Sequence, residues 1–311
     1  MTTTTSGAPT IAVSGASGLI GRALVTHLRA RGHTVRRLVR EASARDASDA
    51  RDAGDIVWSP SDGRLDAAAL HDVRAVIHLA GEPIAHRWTA ARRTAIRDSR
   101  VQGTALLARA IAALPEPPVF LSGSAVGYYG DRGDELLDET SGPGRGFLAT
   151  VCQEWEAATE PASRAGARVV LLRTGVVLDA GGGALAKLLP PFRLGMGGPV
   201  GGGHQYMSWI ALEDHVRAIV HALDTTAIAG PVNLVAPSPA TNADFARTLG
   251  VALARPALVP VPAMAVELLF GEMARETILA GQRALPRVLQ STGFAFRYPT
   301  LEQAVRHAIA R

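Results

Sequence analysis

Lysine is almost missing from this chain. Lys187 is the only one in 311 residues, so any chemistry that needs an ammonium group has a single place to stand. Cysteine is as scarce, and Cys152 alone excludes an internal disulfide and a cysteine-based zinc cluster. Aromatic residues make up 5%, too few to interleave a basic nucleic-acid surface. No run of about 18 uncharged apolar residues exists, the length a membrane-spanning helix requires. The polar stretch Met1 to Pro9 has no basic start, and a glycine motif stands where a signal cleavage site would fall. These absences predict a cytoplasmic protein with neither membrane nor nucleic acid as partner.

What is present is apolar and arginine-rich. Hydrophobic residues account for 47%, enough for one large domain or two smaller ones. The formal charge is +4, but the arginines are scattered among acids, as in Arg45-Asp46 and Arg51-Asp52, and form no block. A small molecule is the expected partner; the oligomeric state is not encoded in any pattern.

Short apolar runs alternate with helical spacing. Ile11 to Val13, His33 to Val39, Asp55 to Trp58, Ala75 to Leu79, Val119 to Ser122 and Arg168 to Arg173 read as buried strands. Helices fall between them, the longest from about Thr89 to Leu114. This alternation predicts an α/β fold, a Rossmann-like doubly wound parallel sheet. The Gly- and Pro-rich segment from Asp179 to His204 breaks the rhythm, with a short helix near Leu185 to Leu189. Residues 10–178 are expected to form the nucleotide-binding layer and 179–311 a smaller, mainly helical substrate lobe. A strand near Pro231 to Val235 is expected to return to the main sheet.

Gly15, Gly18 and Gly21 follow the first strand and open the first helix. The first permits positive φ in a tight turn, the second admits a pyrophosphate, and the third lets helix and strand approach. The helix N-terminus supplies free N–H groups and partial positive charge, so a dinucleotide is expected here. Arg40 stands 19 residues past Gly21, where an acid would bind a free ribose hydroxyl. A guanidinium favours a 2′-phosphate, hence NADP(H), although Glu41 would reverse the preference by pointing inward. Arg36 and Arg37 read as a solvated strand end.

Gly15-x-x-Gly18-x-x-Gly21 with His78-Leu79-Ala80-Gly81 resembles the extended or atypical short-chain dehydrogenase/reductase superfamily. Leu79-Ala80-Gly81-Glu82-Pro83-Ile84, Ser124-Ala125-Val126-Gly127-Tyr128-Tyr129-Gly130 and Arg173-Thr174-Gly175-Val176-Val177-Leu178 are similar to one epimerase-like oxidoreductase branch of it. Gly293-Phe294-x-Phe296-Arg297-Tyr298-Pro299 resembles the small C-terminal module of that branch. The likeness spans roughly residues 10 to 305. It implies that Gly15, Ser17, Gly18, Leu19, Ile20 and Gly21 hold the pyrophosphate and that Arg40 contacts the 2′-phosphate. It further implies that Leu79, Ala80, Gly81 and Glu82 line the adenosine-ribose side, and that Val177 lies near the nicotinamide.

Members of the superfamily resemble one another in a Ser or Thr, a Tyr-x-x-x-Lys pair and a helix Asn, a set that lowers a tyrosine pKa for proton transfer. Tyr128, Tyr129, Tyr206 and Tyr298 are followed four positions on by Arg132, Gly133, Ile210 and Glu302, so the pair is absent. Phe147 and Val151 stand in its place, Arg100 replaces the Asn, and Ser124 keeps its type. Ser124 is expected as the active-site donor. Tyr129 is the candidate proton donor, with Arg100 beside it in the role of lysine; alternatively both Tyr128 and Tyr129 pack with satisfied hydroxyls. Arg100 would equally grip a cofactor phosphate or a substrate anion. Glu154 and Glu156 read as a solvated helix face, with hydrogen bonding inside the cleft as the alternative. His204, Gln205 and Trp209 are candidates for a pocket wall, and Asp214 for the start of a helix. No metal site is expected. An NADP(H)-dependent oxidoreductase or epimerase-like enzyme follows, with a non-catalytic NADP(H)-binding sensor or scaffold as the rival reading.

Overall fold

A computed structural model describes residues 9–40 and 54–310 of the chain. Eight strands make the main sheet: β1 (Thr10–Ser14), β2 (Thr34–Arg40), β3 (Ile56–Ser59), β4 (Arg64–Leu65), β5 (Val73–His78), β6 (Val119–Ala125), β7 (Val169–Thr174) and β8 (Gly230–Leu234). Their order is β8-β7-β6-β5-β1-β2-β3-β4, parallel throughout except for the β3–β4 pair. The apolar runs explain the sheet, because parallel strands covered on both faces need β-branched and leucine side chains at successive positions. From β1 the order grows outward in both directions. The crevice outside the carboxyl ends of β1 and β5 is therefore the switch point, where such sheets bind ligands.

Helices cover both faces. On one, α1 (Leu19–Ala30) buries Leu24, Val25 and Leu28 against Ile11, Val13 and Ile77. On the other, α2 (Ala90–Ala112) presses Leu107 and Ile111 onto Ala12, Val76 and Phe120. α3 (Phe147–Ala157) runs beside α2 and leads from the loop that follows β6.

The chain beyond residue 178 does not form one separate lobe, which corrects the expected division at 178/179. Helix α4 (Leu212–Asp224) packs on α1 and lends Leu212, Val216 and Ile219 to the same cluster as β1. Strand β8 completes the edge of the main sheet. The helices Gly183–Arg193, Asn242–Ala252 and Leu301–Ile309 gather around Leu185, Phe192, Trp209, Phe245 and Val305. The short helix read near Leu185 extends over Gly183–Arg193, with Pro190 and Pro191 inside it. Asp214 lies in the first turn of α4, fully buried, and its carboxylate accepts from the Arg297 and Tyr298 N–H groups. It thereby ties down the tail string Gly293–Pro299, beyond stabilising its own helix. Among the described residues, no helix is long and apolar enough to cross a membrane.

Candidate active site

At the end of β1 the turn leaves little or no room for a β-carbon at its glycines. Gly15 has φ +70°, and a methyl group there would lie 2.7 Å from the Leu79 carbonyl carbon. A methyl at Gly21 would sit 2.0 Å from the Gly15 carbonyl oxygen, and one at Gly18 would sit 3.3 Å from the same atom. Helix α1 starts at once, with no side-chain cap and no acidic residue in its first turn. Its leading N–H groups and dipole therefore face an anion without competition. Ser17 and Gly18 are exposed, Leu19 and Ile20 half-buried. The Leu19 side chain packs over the Gly182–Gly183 turn, and the Val177 carbonyl lies beside Gly183. Val177 thus comes to the same crevice as the glycine turn.

Arg40 ends β2, exposed, and no carboxylate pairs with it among the described residues. Its neighbours correct the solvated reading: Arg37 grips Asp55 with two nitrogens at 2.9 and 2.6 Å, and Arg36 reaches Asp72 and the Gly54 and Ala69 carbonyls. With these two committed, Arg40 is the guanidinium of β2 left for a phosphate. Glu41 lies outside the described residues.

Across the crevice, one hydroxyl braces the wall. Ser14 Oγ accepts from the Leu79 and Ala80 N–H groups at 3.1 and 3.3 Å and lies 2.6 Å from His78 Nδ1. With both lone pairs taken, the hydroxyl donates to Nδ1, so the imidazole carries its proton on Nε2. His78 is fully buried, which pushes its pKa down to about 3 and keeps it neutral. Glu82 follows in the same loop and pairs with Arg92. Arg100 lies against Gly81, donates from Nη1 to the Glu82 and Ile96 carbonyls, and stacks over Trp155 at 5.2 Å. Burial lowers its pKa. No carboxylate pairs with Arg100 among the described residues. Cys152 is buried nearby, its thiol pushed up to about 12 by desolvation.

Ser124 sits near the end of β6, almost fully buried, and donates to Glu156 Oε1 at 2.6 Å. Arg173 of β7 clamps that carboxylate through Nε and Nη2, at 2.8 and 2.9 Å. Its Nη1 donates to the Tyr129 hydroxyl at 3.1 Å, and the guanidinium carbon rests 3.6 Å from the Tyr128 ring centroid. Tyr129 in turn donates to Asn233 Oδ1 at 2.8 Å. Three expectations are corrected here. The cation beside the tyrosines is Arg173, and Arg100 touches neither of them. Glu156 belongs to the interior, because it is the counter-ion of a buried guanidinium. Tyr129 is fully buried, with its hydroxyl spent on Asn233 and its pKa pushed up to about 12 by burial, so it does not present a proton to the crevice.

Phe147 opens α3 and lies under the Arg93 guanidinium at 4.4 Å, edge-to-face with Trp88 at 5.1 Å. Val151 is buried. The Glu276 carboxylate caps this helix, accepting from the Phe147 and Leu148 N–H groups, each at 2.7 Å. Of the proposed pocket wall, His204 is exposed, Gln205 is tied to the Val200 and Ile278 carbonyls, and Trp209 is core, its indole bonded to the Ser238 carbonyl. Sequence reasoning missed Arg173, Asn233 and Glu276. Only Arg173 carried a signal, a charge at the end of the apolar run Val169 to Leu172.

Residues 11–234 match the NAD dependent epimerase/dehydratase family, and residues 261–308 match a domain of unknown function, DUF1731. The chain is 46% identical over 302 residues to an epimerase family protein of Mycobacterium bovis, covering 97% of this chain and 98% of that one. The crystal structure of human epimerase family protein SDR39U1 (isoform 2) with NADPH superposes with a TM-score of 0.86 at 36% identity, covering 97% of this chain and 99% of that one. A nucleoside-diphosphate sugar epimerase of Corynebacterium glutamicum gives a TM-score of 0.78 at 38% identity, over 97% of this chain and 59% of that one.

Proposed function

Because the chain belongs to the NAD dependent epimerase/dehydratase family, we propose that it is an NADP(H)-dependent oxidoreductase or epimerase-like enzyme acting on a small carbonyl or hydroxyl substrate. One observation carries the reading. The Gly15–Gly21 turn is so tight that a β-carbon at Gly15 or Gly21 would collide with backbone, and the α1 N-terminus it presents carries no side-chain cap or acid, the geometry that suits a diphosphate. Gly15, Ser17, Gly18, Leu19, Ile20 and Gly21 would hold the pyrophosphate and Arg40 the 2′-phosphate. Leu79, Ala80, Gly81 and Glu82 would line the ribose side, with Arg100 behind Gly81 and Val177 beside the nicotinamide. The cofactor supplies or accepts a hydride when bound.

Ser124 is the group we assign to the substrate oxygen, and its hydrogen bonding sets its role. Its only proton is donated to Glu156, so the oxygen offers lone pairs and accepts from a substrate hydroxyl. A proton leaving that hydroxyl moves to Ser124 Oγ as the serine proton passes to Glu156. To polarise a carbonyl, the serine O–H turns from Glu156 to the substrate. Arg173 keeps the carboxylate oriented in either case. The rival reading, a non-catalytic NADP(H)-binding protein, is favoured by Phe147 and Val151 at the positions where the superfamily has Tyr and Lys.

Fluorescence titration with NADPH and NADH tests the cofactor assignment. Arg40→Ala should weaken NADPH by about tenfold or more, the worth of a charge-assisted contact, and leave NADH unchanged. Equal losses for both coenzymes, or no NADPH binding by the unaltered chain, would sink it. Turnover of NADPH with a carbonyl panel separates the enzyme from the sensor.

A further inference from the structure

A cavity of about 510 Å³ opens where the start of α2, the start of α3 and the C-terminal segment meet. Its walls combine two aromatic rings, Trp88 and Phe147, with two guanidinium groups one helical turn apart, Arg93 and Arg97. One carboxylate lines the cavity with them, Glu272 from the region of unknown function, while Glu154 and Asp98 pair with Arg97 from outside the lining.

The cations are only partly used. Both bonds from Arg93 to Glu272 leave from Nη1, at 2.8 and 2.6 Å, so Nε and Nη2 remain. Arg97 spends Nε on Glu154 and Nη1 on Asp98, so its Nη2 remains. Thr94 adds a hydroxyl that no described residue engages. Of the two, Arg93 also opposes a local rule. The first turn of α2 holds no acid, and Arg92 and Arg93 stand at the positive end of a 23-residue helix, where cations are disfavoured.

We propose that this cavity binds a small planar organic acid. Its carboxylate is held by the free N–H groups of Arg93 and Arg97, with Thr94 as a further donor, and its ring packs beside Phe147, whose face carries the Arg93 guanidinium. The lining is mixed, with Trp88, Ala90 and Phe147 apolar and Thr89, Arg93, Thr94, Arg97 and Glu272 polar or charged, which suits a compact amphipathic molecule. Glu272 is then a competitor for Arg93 supplied by the C-terminal region. The inference rests on the oxidoreductase reading only in taking the bound acid as the substrate.

Calorimetric titration of the full chain with cinnamate and benzoate, each against its neutral amide, decides the matter. The acids should bind at least about tenfold more tightly than the amides, as a charge-assisted contact requires. Arg97→Gln should remove most of that preference. Glu272→Gln should strengthen acid binding severalfold by releasing Arg93, an effect that loss of a merely structural contact would not produce. Equal binding of acid and amide, no binding of either, an unchanged preference in Arg97→Gln, or weaker acid binding in Glu272→Gln overturns the proposal. NADPH titration of the same samples keeps the two readings apart, since coenzyme binding with no acid binding rejects this site alone.

Discussion

Replacing Glu156 with leucine strands a buried guanidinium. The Arg173 and Glu156 side chains are 4% and 10% exposed, and Glu156 takes two of the bonds that Arg173 makes. After the substitution, Arg173 keeps only the Tyr129 hydroxyl and the face of Tyr128, neither of which carries a countercharge. Removing one member of such a pair costs about 3–5 kcal/mol, mostly as the desolvation of the ion left behind. With about 2 cal/mol/K of unfolding entropy per residue, a 4 kcal/mol loss lowers the melting temperature of a chain this long by roughly 6 °C. Arg173→Met should cost a similar amount, because it leaves the carboxylate buried with only the Ser124 hydroxyl. The double variant should be milder than either single one, since exchanging a whole buried pair for apolar groups is often close to neutral. Calorimetric melting of all four proteins measures the coupling. Single losses that add in the double to within about 0.5 kcal/mol would refute the claim that the two charges depend on each other.

Gly21→Ala should destabilise by about 1–3 kcal/mol in urea unfolding, because its methyl meets the Gly15 carbonyl at 2.0 Å. NADPH affinity should fall with it, since the turn has to move to make room, and intact affinity would argue against the turn as the diphosphate site. Acid should destabilise the protein from near pH 6.5 downward. His78 and His215 are fully buried, and burial pushes both to about 3, so between roughly pH 3 and 6.5 the unfolded chain binds more protons than the folded one. Their contribution is complete above pH 6.5 and is lost as pH falls, at up to about 1.4 kcal/mol per pH unit for each histidine. Denaturant unfolding across pH 5 to 7 reads the slope, and a His78→Gln, His215→Gln variant should flatten it.

Local signals carried the sheet and the glycine turn, because each lies within a dozen residues and obeys a steric rule. The apolar period fixed β1, β5 and β6, and the spacing from Gly21 reached Arg40 at the tip of β2. Long-range pairing was another matter. Nothing near Glu156 tells that Arg173 of a strand neutralises it, so Glu154 and Glu156 on α3 read together as a wet face. Tyr129 failed for the same reason. Its position after β6 was legible, but its partner Asn233 lies 104 residues later. The division at residue 178 left only the strand that became β8 to return to the sheet, whereas α4 returns as well, through contacts no local period announces.

The Glu276 carboxylate seated on the first N–H groups of α3 has a consequence for biosynthesis. The helix that flanks Ser124 borrows its N-terminal acceptor from a residue 129 positions later, so it emerges from the ribosome with that end unsatisfied. A nascent chain halted before Glu276 carries the Gly15–Gly21 turn in full while the helix beside Ser124 lacks the acceptor for its first turn. On the proposed function, coenzyme binding at the turn precedes completion of this helix, and ribosome-stalled intermediates of graded length should display the two events in that sequence.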